Sequence, residues 1–543
     1  NSTGNTMIGN KAGFRTNGNY NTVMGYRAMS GSSSGDTSNL NVAIGYTAME
    51  DSTSASENVA VGSYAGGNLT TGDYNTAVGY AALRSGATTN RNTAVGYAAL
   101  NSFTQSGDLR NTAVGMYAML YPRSGSNNVA MGYGAMQGNN SVYDSDYNVA
   151  LGSDTLFAIQ GGNSNTAVGY QAGNAVTTGY DNTLVGRLAG ATLTTGYYNT
   201  YIGNTAGSGA TTAAHSNVGI GLAALSSAHG ANNVAVGRGA LSATTDANQV
   251  AIGSEALGTN TSGEKNTAVG YQVLALNTTG NYNTAMGHHA LYNNVDGDHN
   301  TAMGYRALHS MEPSDGGGQN TAIGSQAGYK LSTGHSNVLM GYIAGYELLA
   351  GERNIIIGHE AGRNATSLNF STIIGNAAGY NVSGASEVVY IGRNAGYHVT
   401  GNENTFVGTS AGIGQAAATH ATQGSVAIGE NAMYYNSTAN YNVAVGQNAL
   451  LGKDVSPWMT GDNNVAVGRE TLRNTTTGHT NAALGYQAGY NVTEAIRSQF
   501  IGGEAGGSVT TAQYNTIMGY QAGHSLTATG NNVLIGKYAG REL

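Results

Sequence analysis

The sequence predicts an all-β parallel solenoid, a β-roll of about 31 coils of about 17 residues, and three observations carry that expectation. The string Asn-Thr-Ala-Val-Gly-Tyr-x-Ala-(Gly/Leu) recurs from end to end, and internal periodicity on this scale is the mark of stacked repeats. Inside each copy, β-branched and aliphatic residues alternate at period 2, as in a strand. The composition is polar without being charged: 84 Gly, 3 Pro and only 9% Asp, Glu, Lys and Arg, against a 40% apolar share. Disordered chains combine low hydrophobicity with high net charge, and this chain has neither.

With Asn as position 1 and the Gly that follows it as position 5, the markers run Gly9, Gly25, Gly45 and onward to Gly536. The unit Asn165, Thr166, Ala167, Val168, Gly169, Tyr170, Gln171, Ala172, Gly173 is representative. Position 4 is Val, Ile, Met or Leu in every copy, and position 2 is mostly Thr or Val. Together they form the apolar face of a strand, with positions 1 and 3, mostly Asn and Ala, on the other face. A second short strand is expected over positions 6 to 9. Connectors such as Thr177-Thr178-Gly179-Tyr180-Asp181 carry turn-forming residues and return the chain to the next coil.

So short a unit cannot bury its own apolar side, so copies must stack into parallel sheets as one continuous repeat domain over residues 1–543. Asn at position 1 then becomes a ladder of amides that hydrogen-bond along the axis. Gly at position 5, without exception, means that a Cβ is forbidden there, by a positive φ or by a neighbouring backbone. Asn165, Val168, Gly169 and Ala172 are the structural signature of the repeat.

These residues resemble a known family. Asn41-Val42-Ala43-Ile44-Gly45, Asn233-Val234-Ala235-Val236-Gly237 and Ser425-Val426-Ala427-Ile428-Gly429 are similar to the repeats of YadA-like heads of trimeric autotransporter adhesins, and the Gly-rich copies resemble the shafts of phage tail fibres. The resemblance implies a left-handed parallel β-roll, a homotrimer, and binding surfaces on the outside of the trimer. Small Ala at positions 3 and 8 is expected to let neighbouring sheets approach closely.

Several functions are disfavoured. The net charge of −8 offers no basic stripe for nucleic acid, and no apolar run is long enough for a membrane-spanning helix. Val168-Gly169-Tyr170-Gln171-Ala172-Gly173 fits the hexapeptide of solenoid acyltransferases, but only once per coil. His288-His289 and Asp296-Gly297-Asp298-His299 are the best metal candidates, yet no second cluster completes a ligand set, so no metal or cofactor is expected. No catalytic triad or carboxylate pair stands out, so no enzyme activity is expected. The Thr column is interrupted by Val too often for an ice-matching array.

Tyr at position 6, including Tyr26, Tyr46, Tyr80 and Tyr97, either grips sugars or covers the flank of the roll or a seam between chains. Connectors escape the column constraints and are the better place for specificity. The longest interval, Gly446 to Gly468, contains Trp458, the one Trp of the chain, as a candidate contact for a cell-surface glycan or receptor. Other insertions span Ser30 to Ser38, Ser310 to Gln319 and Ala416 to Gly424. The expected function is an extracellular structural rod and adhesion fibre, at a cell or virion surface. The alternative is a self-assembling extracellular filament or matrix protein.

Overall fold

The computed structural model describes residues 2–31, 35–102, 105–121, 124–138, 144–312, 318–414, 421–455 and 457–543. It falls into two compact units, Asn1–Asn266 and Thr267–Leu543. Each is an all-β parallel solenoid with no helix among the described residues; each coil contributes a three-residue strand at positions 2 to 4 of the repeat, and two short parallel pairs, Thr89–Asn90 with Gly107–Asp108 and Ala350–Glu352 with Ser367–Asn369, form beside this sheet. Strands from successive coils pair in parallel without slippage. Ala150 lies beside Ala167, and Ala167 beside Leu184, in the first unit. Parts of the insertions after Ser30, Ser310 and Gly414 lie outside the described residues.

The strand face turned inward is the reverse of the expected one. Position 3 is buried and positions 2 and 4 face out, as in Thr166–Val168, where Ala167 is fully buried. Position 4 stands well exposed in many coils, with Ile202 at 38% and Met286 at 46%. The reason is room. A coil of about 17 residues has room inside for the Asn amide, the Ala of position 8 and one larger side chain from position 3 or position 9, which leaves the β-branched residues of positions 2 and 4 outside. The Ala columns therefore line the interior of each chain and do not set the approach of neighbouring sheets.

The second expected strand, over positions 6 to 9, does not form. Positions 7 and 9 hold the left-handed conformation, with φ of 54° at Gln171 and 60° at Gly173, and this curls the backbone into turns. The residue before Asn is also left-handed, as at Ser164 with φ 56°. An L-residue in this region costs about 1–2 kcal/mol. The neighbouring coils hold it there: the N–H of Ser164 donates to Asp146 O at 2.9 Å, Gln171 to Ser153 O at 3.0 Å and Gly173 to Ala189 O at 2.9 Å.

Gly169, at position 5, needs to be Gly for both of the expected reasons. Its φ is +133°, and a Cβ would sit 2.6 Å from the carbonyl oxygen of Gly186 in the next coil. The Asn ladder is present, and at Asn165 it closes fully. Asn165 Nδ2 donates to Asn148 Oδ1 at 3.1 Å and to Gly179 O at 2.9 Å, while Asn165 Oδ1 accepts from the N–H and Nδ2 of Asn182. A buried amide costs little only when satisfied in this way.

Most coils fill the core between the ladders in one of two ways; in a few, such as Ala167 with Gly173, both positions are small and Leu156 and Leu184 of the adjacent coils reach into the space. Where position 3 is Ala, position 9 is usually Leu or Met, as in Ala150 with Leu156, and the larger side chain is buried there. Where position 3 is Leu, Ile, Tyr or Phe, position 9 is Gly: Tyr201 pairs with Gly207 and Phe406 with Gly412. A Cβ on either glycine would lie 2.4 Å from the ring it faces. Leu156 itself has φ 48°, so volume and not backbone conformation chooses between Leu and Gly at this position.

Candidate binding surfaces

Three exterior features can meet a partner: the outward strand face, the aromatic columns beside it, and the irregular connectors. The strand face carries Thr or Val at position 2 and aliphatic residues at position 4, and no Asp, Glu, Lys or Arg stands at either position in any copy. Alternate strand residues share this face, so the two columns run side by side through each unit.

The Tyr column flanks this face. Tyr26, Tyr46, Tyr80 and Tyr97 are all about half exposed. They belong to a run of seven rings on consecutive coils, with Tyr64, Tyr117 and Tyr133. Tyr26 and Tyr46 stack at 5.5 Å between centroids, Tyr80 and Tyr97 at 5.0 Å, and Tyr64 and Tyr117 interleave edge-on. Stacked rings cover part of each other's faces, so what the column offers outward is mainly ring edge and hydroxyl.

A second aromatic column runs at position 10 in the second unit. Tyr292 stacks on His309, His309 on Tyr329, Tyr329 on Tyr346, and Tyr380 on Tyr397, with centroid separations of 4.8 to 5.4 Å. Arg363 lies over the Tyr380 ring. His309 has its pKa lowered to about 4, first by desolvation and then by the charges of Arg306 and His289. Sequence reading missed this column because its members differ in type, and only their shared offset from the marker Gly reveals it.

His288 and His289 do come together, with ring centroids 4.0 Å apart, but they sit among Tyr271, Tyr292 and Tyr305 rather than carboxylates. Among the described residues no group of three or more His, Cys, Asp or Glu could hold a metal ion. Asp298 instead accepts the Asn281 N–H at 2.6 Å, a role that polar residues fill at this position in several coils. Asn165, Val168, Gly169 and Ala172 stand as ladder, outward column, close approach and interior.

Trp458 is half-buried on its long connector. The connector rejoins the coil at Met459, which is fully buried and whose N–H donates to Tyr435 O at 3.2 Å. Among the described residues no helix is long and apolar enough to cross a membrane. No protein-family model matches the sequence, and no curated protein matches it.

Proposed function

We propose that this chain is the shaft or head of an extracellular fibre, at a cell or virion surface, in which three copies associate and the outside binds a cell-surface glycan or receptor. The observation that supports it is the outward strand face. Single soluble chains rarely expose continuous apolar surface beyond a few hundred Å², and larger patches mark interaction sites. Here an uncharged face of Thr, Val, Ile and Met repeats coil after coil and is flanked by half-exposed Tyr, the composition of an interface core with an amphipathic rim. A second copy is the fitting occupant, because its own face presents the same columns at the same strand spacing. The number three rests on the resemblance to trimeric adhesin heads.

Native mass spectrometry tests the assembly. A species three times the 55.2 kDa chain is expected at micromolar concentration, and a single-chain species would overturn it. Replacing Ile202, Ile220 and Ile252 together by Lys should leave the coils folded, since all three point outward, and should dissociate the assembly.

A further inference from the structure

The long connector between Gly446 and Gly468 breaks the regular exterior of the second unit and leaves a cleft beside it. This cleft, about 320 Å³, is lined by Asn431, Tyr434, Tyr435, Asn448, Leu451 and Arg473. A smaller one adjoins it, sharing Tyr435, Leu451 and Arg473 and walled by Lys453 and Asp454 from the insertion. The volume is at the low end for small-molecule sites and suits one sugar ring.

The lining is unlike the rest of the position 10 column. Elsewhere in it, Tyr329, Tyr346, Tyr380 and Tyr397 stack ring on ring. At Tyr434 the neighbours in the column are Ile413 and Leu451, and its aromatic contact is the edge-on ring of Tyr435 at 4.7 Å. Among the described residues no stacked aromatic covers a face of this ring. Asn431 and Asn448 stand on neighbouring coils, with Nδ2 of the first 3.3 Å from Oδ1 of the second, and each amide retains further capacity. Arg473 donates to Asn474 Oδ1 at 3.2 Å and lies over Tyr490, but has no carboxylate partner among the described residues. Its backbone and that of Tyr435 are pinned to adjacent coils, through Gly452 N–H to Arg473 O at 2.9 Å and Tyr435 N–H to Leu451 O at 2.8 Å. The groups are therefore pre-positioned.

We propose that this cleft binds a carboxylated sugar residue, with the pyranose against Tyr434, its hydroxyls on Asn431 and Asn448, and its carboxylate on the guanidinium of Arg473. An aromatic face, paired carboxamides and an arginine fork that makes no ion pair among the described residues are the complement of an acidic saccharide. The proposal rests on the fibre reading above for its glycan class and goes beyond it in naming the site and the charge of the sugar.

Ligand-observed NMR titration of the full chain with the methyl glycosides of glucuronic acid, N-acetylneuraminic acid and glucose tests it, and the two acids distinguish the sources of the carboxylate. At least one acid should bind about tenfold more tightly than glucose, as expected for a charge-assisted bond to a carboxylate. R473M and Y434A should each remove that preference, R473K should retain part of it, and R469M, on the same coil outside the cleft, should not alter it. Binding that survives R473M, equal binding of acid and neutral sugars, or no binding by any probe would overturn the proposal. Native mass on the same samples separates the two readings. A trimer that binds no acid leaves the fibre standing without this site, and a monomer that binds one leaves the site without the fibre.

Discussion

Two stretches of the second unit build the same coil from opposite walls. In the coils with strands Thr267–Val269, Thr284–Met286 and Thr301–Met303, position 3 is Ala268, Ala285 and Ala302, and the interior is filled from position 9 by Leu274, Leu291 and Leu308. In the coils from Val338–Met340 to Thr405–Val407, position 3 supplies Leu339, Ile356, Ile373, Tyr390 and Phe406, and position 9 is Gly throughout. Tyr390 and Phe406 stack at 5.1 Å in that interior. A further column follows the switch. Position 12 is Asn277 and Asn294 in two of the Leu-filled coils and Met311 in the third, with Asn294 Nδ2 donating to Asn277 Oδ1 at 2.9 Å and to Gly297 O, and it is Leu348, Ala365, Val382 and Val399 in the other stretch. The backbone tolerates either filling because packing conserves the volume of the interior, shared between adjacent coils, rather than the identity of any one column.

The strongest break of this comparison is a swap. Phe406→Ala should cost about 3–5 kcal/mol by leaving a cavity, and Gly412→Leu about 1–3 kcal/mol by overpacking against the ring. Made together they should recover much of the loss, because the new leucine occupies the space the ring vacates. Calorimetric unfolding of the two single variants and the double variant measures the coupling. Strictly additive costs would show that the columns are independent.

A middle-sized effect separates the stretches at position 12. Leu348→Asn should cost about 1–3 kcal/mol, since the adjacent coils place Leu331 and Ala365 at that level, which offer no side-chain partner. Asn294→Leu should be milder, costing the bond that Asn294 Nδ2 donates to Asn277 Oδ1. Hydrogen exchange localised to these coils distinguishes the two.

The smallest effect is acid sensitivity confined to the Leu-filled stretch. His309 lies beside Arg306, His289, Tyr292 and Tyr329, and its folded pKa of about 4 is below the ordinary 6.5. A lowered histidine binds its proton less readily folded than unfolded. Its contribution is therefore complete above about pH 6.5 and is lost as pH falls toward 4. Amide exchange around residues 304–312, corrected for intrinsic rates, should accelerate over that window and should cease to do so in H309Q.

The repeat, the parallel stacking, the Asn165 ladder and the prohibition at Gly169 were all legible in the sequence, because each is a demand that most or all coils make on one column. The orientation was not. Period 2 states that Thr166 and Val168 share a face but not which face turns inward; the buried Asn165 ladder puts positions 1 and 3 inside, and Thr166 and Val168 are left outside. The expected strand over Tyr170 to Gly173 failed for a related reason, since Gln171 takes a left-handed conformation that no propensity signals and that only bonds to adjacent coils sustain. The exchange between Phe406 and Gly412 is invisible column by column and appears only when two columns are read together. The cleft at Arg473 lay one coil beyond the connector that carries Trp458, assembled from residues 42 positions apart, Asn431 to Arg473, which sequence spacing alone does not bring together.

The left-handed residues have a consequence for how such a molecule comes to be. A lone coil holds its strained torsions with few bonds to offset them, whereas a coil added to an existing stack finds its donors and acceptors already in place, about 17 residues away along the chain. Formation within each unit should then resemble crystal growth: a slow first nucleus of a few turns, followed by rapid accretion of one turn at a time onto an exposed end. A nascent chain leaving the ribosome presents its turns in the order that such growth requires.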